Sequence, residues 1–142
     1  FEHQIEFDHV WFKYRDEWVL KDLSFSVRKG EIVALVGATG AGKSTIVQLI
    51  PRLYEVQKGQ IRIDGTPIDL LTQKSLRDQI AFVPQRPFLF FDTVAENIAF
   101  GRNFSREEVE EAARRAYAHE FIADLPQHYD TLLAEMGKTL SG

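Results

Sequence analysis

A glycine-rich stretch in the first half of the chain has the residue types and spacing that most directly suggest chemistry. It reads Gly37, Ala38, Thr39, Gly40, Ala41, Gly42, Lys43, Ser44 and Thr45, and it fits the pattern G-x-x-x-x-G-K-[ST] at every position. Glycines leave room for backbone N–H groups to surround a phosphate closely. The lysine supplies a mobile positive charge for β- and γ-phosphates, and the serine hydroxyl can ligate Mg²⁺. The pattern predicts a loop that binds a nucleoside triphosphate with Mg²⁺; the alternative is a glycine-rich turn that caps a helix.

The elements on either side of this loop favour the nucleotide interpretation. Glu31–Val36 is a near-continuous β-branched run, which is typical of a central strand in a parallel sheet covered on both faces. The apolar spacing over Lys43–Tyr54 predicts a helix that Pro51 kinks or ends. Because a phosphate loop needs a buried strand before it and a helix after it, both neighbours support the prediction.

Other stretches predict a chain with strands first and helices last. Alternating apolar residues predict half-buried strands from Ile5 to Tyr14 and over Leu23–Val27, and further strands at Gln60–Asp64 and Ile80–Val83. Arg28–Gly30 is typical of a hairpin turn into Glu31. A capping box at Ser105 and Glu108 predicts the start of a helix. A further helical stretch over Phe121–Leu125 is predicted to stop at Pro126.

Composition narrows the class of protein. The chain has 142 residues, which is one domain's length, and 44% of them are hydrophobic. It has no cysteine, which excludes disulfides and thiolate chemistry, and its four histidines show no metal-ligand spacing. No apolar run reaches the roughly 20 residues that a membrane-spanning helix needs, and no signal peptide is visible. A net charge of −4 gives no general reason to expect nucleic acid as a partner.

A phosphate loop alone does not choose among kinases, GTPases and other ATPases. The N-K-x-D motif with which GTPases recognise guanine is absent. Phe88–Asp92 could suggest the apolar strand whose final aspartate helps to hold Mg²⁺ in many P-loop enzymes. Pro84 and Pro87 precede this stretch, and a loop is the better interpretation of it.

Several further motifs, in the correct order, resemble the nucleotide-binding domain of ATP-binding cassette (ABC) transporters over essentially the whole chain. They are Val10–Tyr14 as the A-loop, Phe82–Gln85 as the Q-loop, Thr93–Gly101 as the stretch T-[IV]-x-E-N-I-x-x-G, Glu135–Gly137 as the exporter X-loop, and Leu140, Ser141 and Gly142 as the start of the signature L-S-G-G-Q. The closest likeness within the family is to bacterial exporters with a fused membrane domain, including the lipid A flippases.

The resemblance implies a fold and a division of the chain. The expected fold is an α/β P-loop NTPase with a RecA-like core, an antiparallel β subdomain and the start of an α-helical subdomain. The β subdomain would comprise residues 1–30 and 54–66, and the P-loop core residues 31–53 and 67–85. Residues 86–142 would then form the helical subdomain up to the signature.

The resemblance also implies roles for individual residues. Tyr14 would stack on adenine, and Gln85 would reach Mg²⁺ and the attacking water. The loop would hold ATP with Mg²⁺ on Ser44, and Gln85 with Glu135 would pass motion to the membrane domain. The signature residues would complete the ATP site of a second nucleotide-binding domain, head to tail and in a homodimer.

The whole protein is then expected to be an ATP hydrolase that exports a hydrophobic or lipidic substrate, at the cytoplasmic face of the inner membrane, with the membrane domain on the same chain. The chain starts at Phe1 rather than Met and stops inside the signature, so we interpret it as a piece of a longer polypeptide. The Walker B Asp, catalytic Glu, D-loop and switch His are expected beyond Gly142, and the piece alone is expected to hydrolyse ATP negligibly.

Two alternatives remain open at this point. One is a soluble ABC ATPase of DNA repair or translation; such proteins usually lack the exporter features at Glu96–Ile98 and Glu135–Gly137. The other is a binding-only or regulatory domain whose second half is degenerate. The residues before Phe1 would decide the first alternative, and those after Gly142 the second.

Overall fold

A computed structural model describes residues 1–133 of the chain. The chain divides into two compact units, Phe1–Phe82 and Val83–Gly142. None of the helices within the described residues is long and apolar enough to cross a membrane.

The first unit is built on a four-stranded antiparallel sheet with the strand order β2-β1-β3-β4. Its strands are β1 (Gln4–Phe12), β2 (Leu20–Arg28), β3 (Lys58–Ile63) and β4 (Thr66–Pro67). In the middle of β1, Phe7 lies opposite Phe25 on one side and Ile61 on the other. The Phe7 and Phe25 rings are stacked with their centroids 4.6 Å apart. The alternating patterns that predicted β1, β2 and β3 are confirmed.

The helix that follows the glycine-rich loop packs on the apolar core of this sheet. Helix α1 (Lys43–Leu49) contributes the fully buried Leu49 to a core that includes Phe7, Val10 and Phe12 of β1. Burying such side chains is the main favourable term in folding, at about 25 cal/mol for each Å² of apolar surface removed from water. Burial of this shared core therefore stabilises the packing of α1 on the sheet, and it fixes the end of the loop that leads into α1.

Helix α1 ends at Leu49, shortly before Pro51, which confirms the predicted early end. Arg52 then adopts a left-handed backbone conformation, and its guanidinium donates hydrogen bonds to the carbonyls of Ile68 (3.0 Å) and Leu71 (2.9 Å). These carbonyls belong to a 3-10 turn (Ile68–Leu70) and its C-cap, which precede helix α2 (Gln73–Arg77). Arg52 thus ties the end of α1 to the segment that follows the sheet.

The strands predicted at Glu31–Val36 and Ile80–Val83 are not formed, and these two predictions are wrong. Neither segment has regular secondary structure, and Ile32 and Val36 are 99% and 89% exposed. A strand exists only when a neighbouring strand satisfies its backbone groups. Among the described residues, all four strands belong to the antiparallel sheet, and none of them pairs with either segment. The predicted hairpin at Arg28–Gly30 is therefore only a turn.

The second unit is helical. It contains α3 (Val94–Ala99), α4 (Arg106–Arg115), α5 (His119–Ala123) and a 3-10 turn at His128–Asp130. The predicted capping box is confirmed, since the Ser105 side chain accepts from the Glu108 N–H and the Glu108 carboxylate accepts from the Ser105 N–H. The second helical stretch also forms, as α5, and it ends before Pro126.

Candidate nucleotide-binding site

The glycine-rich loop runs from the exposed segment 31–36 into α1, and its three glycines have φ values that other residues rarely adopt, with +152° at Gly37. Gly40 and Gly42 have φ values of +86° and +85°. Gly40 borders open space, so its requirement is conformational. Gly42 has a second requirement, because a Cβ atom there would lie 2.7 Å from Cδ2 of the buried Leu20, at the start of β2. The loop is therefore both strained for other residues and fitted against the sheet.

The Lys43 side chain folds back across this loop. Its ammonium group donates hydrogen bonds to the carbonyl oxygens of Gly37 and Ala38, each at 2.7 Å. An ammonium group has three donors, so a donor remains for an oxygen of a ligand. The structure thus places a positive charge inside the loop, beside the backbone that the motif predicts to surround a phosphate.

Ser44 and Thr45 follow Lys43 in the first turn of α1, and they face different surroundings. Ser44 is exposed, whereas Thr45 is buried with 4% of its surface accessible. No side chain caps the N-terminus of α1, where Gly42 is the N-cap residue. The first turn therefore presents backbone N–H groups without a side-chain cap and an exposed hydroxyl on the side of the loop. The N–H groups can donate to phosphate oxygens, and the hydroxyl oxygen can ligate Mg²⁺.

Tyr14, the predicted adenine-stacking residue, lies against the same helix. Its hydroxyl donates to the Gln48 Oε1 atom at 3.0 Å and accepts from the Thr45 hydroxyl, also at 3.0 Å. Its ring meets the Phe12 and Tyr54 rings edge to face, with centroids 4.8 and 5.0 Å away. Tyr14 is 48% exposed as a residue, and its hydroxyl lies beside the first turn of α1.

The sequence pattern did not identify Gln48 and Tyr54 as parts of this region. Gln48 lies on the same side of α1 as Thr45, three residues later, and this spacing is visible in the sequence. Nothing in the sequence indicates that a tyrosine more than thirty residues earlier reaches it. Tyr54 follows the end of α1 in a turn that carries no recognisable pattern.

The structure does not test the roles of the other predicted site residues. Gln85 lies in the second unit, in an exposed bend without regular secondary structure, so its role stays a prediction. Glu135, Leu140, Ser141 and Gly142 lie outside the described residues.

The stretch Phe88–Asp92 forms no strand, in agreement with the loop that the prolines predicted. The Asn97 side chain holds this loop by accepting a hydrogen bond from the Phe90 N–H (2.7 Å) and donating one to the Phe90 carbonyl (3.1 Å). Asn97 of α3 therefore fixes the backbone of this loop, while the side chains of Phe88, Phe90 and Phe91 are exposed.

A left-handed glycine loop with a lysine folded into it, followed by a helix with an exposed serine, is the arrangement of P-loop proteins. The family profile described as "ABC transporter" matches residues 20–142. The chain therefore belongs to the ABC transporter family.

Known relatives are also similar over nearly all of this chain. A candidate multidrug export ATP-binding/permease protein of Staphylococcus aureus (strain NCTC 8325) is 53% identical over 98% of the chain and 25% of the relative. An ATP-dependent lipid A-core flippase of Legionella pneumophila (strain Paris) is 50% identical over 98% of the chain and 24% of the relative. The chain spans about a quarter of the length of these relatives.

A solved structure has the same fold. The structure of a bacterial Atm1-family ABC exporter with ATP bound superposes with a TM-score of 0.92 and 50% sequence identity, and it covers 99% of this chain and 25% of that one. Because these relatives are exporters or ATP-binding/permease proteins, the alternative of a soluble ABC ATPase is not favoured.

Proposed function

We propose that the chain binds ATP with Mg²⁺ on the loop Gly37–Thr45, as the ATP-binding part of an ABC exporter. The observation that carries the proposal is the Lys43 ammonium group, held 2.7 Å from two carbonyls of the loop itself. A charge in that position attracts a phosphate oxygen, and charge-assisted hydrogen bonds are roughly twice as strong as neutral ones.

Each part of the nucleotide has a proposed partner. The β- and γ-phosphates lie against Lys43 and the loop N–H groups of Gly37 to Thr45. Mg²⁺ is held by the exposed Ser44 hydroxyl, with Gln85 as a second ligand that also orients the attacking water. The adenine stacks on the exposed surface of Tyr14, whose hydroxyl is fixed on α1 beside the loop. The contacts of the first unit support the assignments of Lys43, Ser44 and Tyr14, whereas that of Gln85 rests on the resemblance to the family.

The proposed activity of the whole protein is wider. We propose that ATP binding and hydrolysis drive export of a hydrophobic or lipidic substrate, with a membrane domain on the same chain. The names of the relatives, a multidrug export protein and a lipid A-core flippase, support this class of substrate. The nucleotide-binding part would lie at the cytoplasmic face of the membrane and pair head to tail with a second copy.

Further proposals concern roles that the described structure does not test. Gln85 and Glu135 are proposed to transmit motion to the membrane domain, and Leu140, Ser141 and Gly142 to meet the ATP of the paired copy. The division into a β subdomain (1–30 and 54–66), a P-loop core (31–53 and 67–85) and a helical subdomain (86–142) is likewise proposed.

The proposal is tested by measuring Mg²⁺-ATP binding by calorimetry to the chain and to Lys43→Ala. The substitution removes a charged hydrogen-bond partner worth about 3 kcal/mol, so we expect binding to weaken by about 100-fold. The matched control is Lys21→Ala, an exposed lysine of β2, which should bind as the unmodified chain does. Equal affinity in Lys43→Ala and the control would exclude the loop as the ATP site.

The metal assignment needs a separate measurement. Ser44→Ala removes the proposed Mg²⁺ ligand while leaving the loop backbone and Lys43 in place. We expect ATP affinity to become nearly independent of added Mg²⁺ in this variant. Ser26→Ala, six residues after Leu20 on β2, should keep the full dependence. An unchanged Mg²⁺ dependence in Ser44→Ala would remove Ser44 from the metal site.

A further inference from the structure

The side chain of Gln57 makes a paired contact with the backbone immediately before Tyr14. Its Oε1 atom accepts a hydrogen bond from the Lys13 N–H at 3.0 Å, and its Nε2 atom donates to the Lys13 carbonyl at 3.2 Å. The Gln57 N–H also donates to the Trp11 carbonyl at 3.1 Å. Gln57, which directly precedes β3, therefore holds the end of β1 through both its main chain and its side chain.

These contacts fix the point where the β1–β2 connection leaves the sheet. The Val19 N–H donates to the Phe12 carbonyl at 2.8 Å and closes the connection, so Lys13 to Trp18 form its loop. Such loops are usually mobile because few backbone groups in them are paired. Here the Gln57 amide pairs both polar groups of Lys13, so the chain direction into Tyr14 is determined.

The base of this loop is packed independently of Gln57. The Trp11 and Trp18 rings meet edge to face at 5.4 Å, and the Lys58 ammonium group lies 5.4 Å from both ring centroids. The Lys13 ammonium group also lies 4.9 Å from the Trp18 ring centroid. The contribution specific to the Gln57 side chain is therefore the position of the Lys13 backbone, which leads into Tyr14, rather than the integrity of the hairpin.

We propose that Gln57 is a positioning residue for base recognition, which holds the Tyr14 ring ready for an adenine by fixing the backbone before it. The inference rests on the proposed role of Tyr14 in stacking on the base. Holding a contact residue in place before the ligand arrives reduces the ordering cost of binding. Gln57 therefore contributes, through Tyr14, to binding of the base of a nucleotide and does not contribute to binding of its phosphates.

The test measures two ligands, Mg²⁺-ATP and Mg²⁺-tripolyphosphate, on Gln57→Ala by calorimetry. Two lost neutral hydrogen bonds correspond to about a three- to tenfold weaker affinity for ATP. Tripolyphosphate has no base, so its affinity should stay within about twofold of that of the unmodified chain. The matched control is Gln60→Ala on β3, whose side chain reaches Asp8 and not the loop. It should leave both affinities unchanged.

A background of Tyr14→Ala separates this inference from the proposal on which it rests. In that background Gln57→Ala should cause no further loss of ATP affinity, because the ring that it positions is gone. If Tyr14→Ala weakens ATP binding but Gln57→Ala does not, the positioning role is wrong and the stacking proposal survives. If Tyr14→Ala itself has no effect on ATP affinity, both are wrong. A loss of tripolyphosphate affinity in Gln57→Ala would mean a general loosening, which also contradicts the inference.

Discussion

Within the first unit, the groups at the phosphate end of the candidate site come from one continuous stretch, Gly37–Thr45. At the base end they come from separate parts of the chain, since Tyr14 contacts Thr45, Gln48 and Tyr54. The phosphate end is also held by main-chain conformation and one lysine, whereas the base end is held by side-chain hydrogen bonds and ring contacts.

The two ends of the candidate site should respond differently to amino-acid substitutions. A loop held by left-handed glycines loses its shape when one glycine acquires a Cβ atom. A ring held by several weak contacts loses them one at a time, each worth roughly 0.5–1.5 kcal/mol. We therefore expect single substitutions to have large effects at the phosphate end and graded effects at the base end.

The largest effect on stability is expected from Gly42→Ala. The new Cβ atom would be strained by the φ of +85° and would press on the buried Leu20, and together these should lower the free energy of unfolding by about 3 kcal/mol. Gly40→Ala has the same conformational strain but faces open space, so about 1 kcal/mol is expected. Urea unfolding followed by tryptophan fluorescence measures both values. Equal losses would show that the loop does not press against the sheet.

A smaller effect is expected from Tyr14→Phe, which keeps the ring and removes its hydroxyl. The buried Thr45 hydroxyl loses its partner, which should cost about 1 kcal/mol of stability, and ATP affinity should fall only about threefold. Tyr54→Phe is the matched control, because the contacts of Tyr54 with its neighbours are made by its ring. If Tyr14→Phe and Tyr54→Phe are equally stable, the hydroxyl does not anchor the ring on α1.

The smallest effect is expected at Asp64, in the turn between β3 and β4. The Asp64 carboxylate accepts hydrogen bonds from the backbone N–H groups of Glu2, Gln4 and His3, and these lower the pKa of Asp64 to about 2. Because the pKa is lower in the folded chain than its ordinary value of 3.8, this stabilisation is complete above pH 3.8. It is lost as the pH falls through about 2.

Asp64→Asn should remove this part of the acid sensitivity, as measured by thermal unfolding between pH 5 and pH 2. Asp16→Asn makes the same change of charge in the loop after β1 and should retain the acid sensitivity of the unmodified chain. Neither substitution should alter the affinity for tripolyphosphate at neutral pH. Identical acid profiles of the two variants would contradict the role of Asp64.

The sequence predicted the phosphate end of the candidate site better than the base end. The phosphate loop, α1 and its end near Pro51 were predictable because each depends on residues close together in the chain. The Ser105–Glu108 capping box was predictable for the same reason. The Tyr14 contacts with Thr45 and Gln48 were not, because they depend on how the β1–β2 connection meets α1.

The strands predicted at Glu31–Val36 and Ile80–Val83 show where a local pattern is insufficient to predict structure. Their β-branched residues favour a strand only where the strand can pack on a pleated, buried surface, so this preference depends on context. The backbone forms a strand only beside another strand, and the described residues offer none to these segments. Local pattern was sufficient for the antiparallel strands because β1 finds both β2 and β3 within the same unit.

The most direct test of the central claim is the ratio of affinities for Mg²⁺-ATP and Mg²⁺-tripolyphosphate in Lys43→Ala and Tyr14→Ala. Lys43→Ala should weaken both ligands by about 100-fold and leave the ratio unchanged. Tyr14→Ala should weaken ATP alone by about tenfold, as expected for the loss of one base–aromatic stack. If Lys43→Ala binds ATP as tightly as the unmodified chain, or if Tyr14→Ala weakens both ligands equally, the division into a phosphate end and a base end is contradicted.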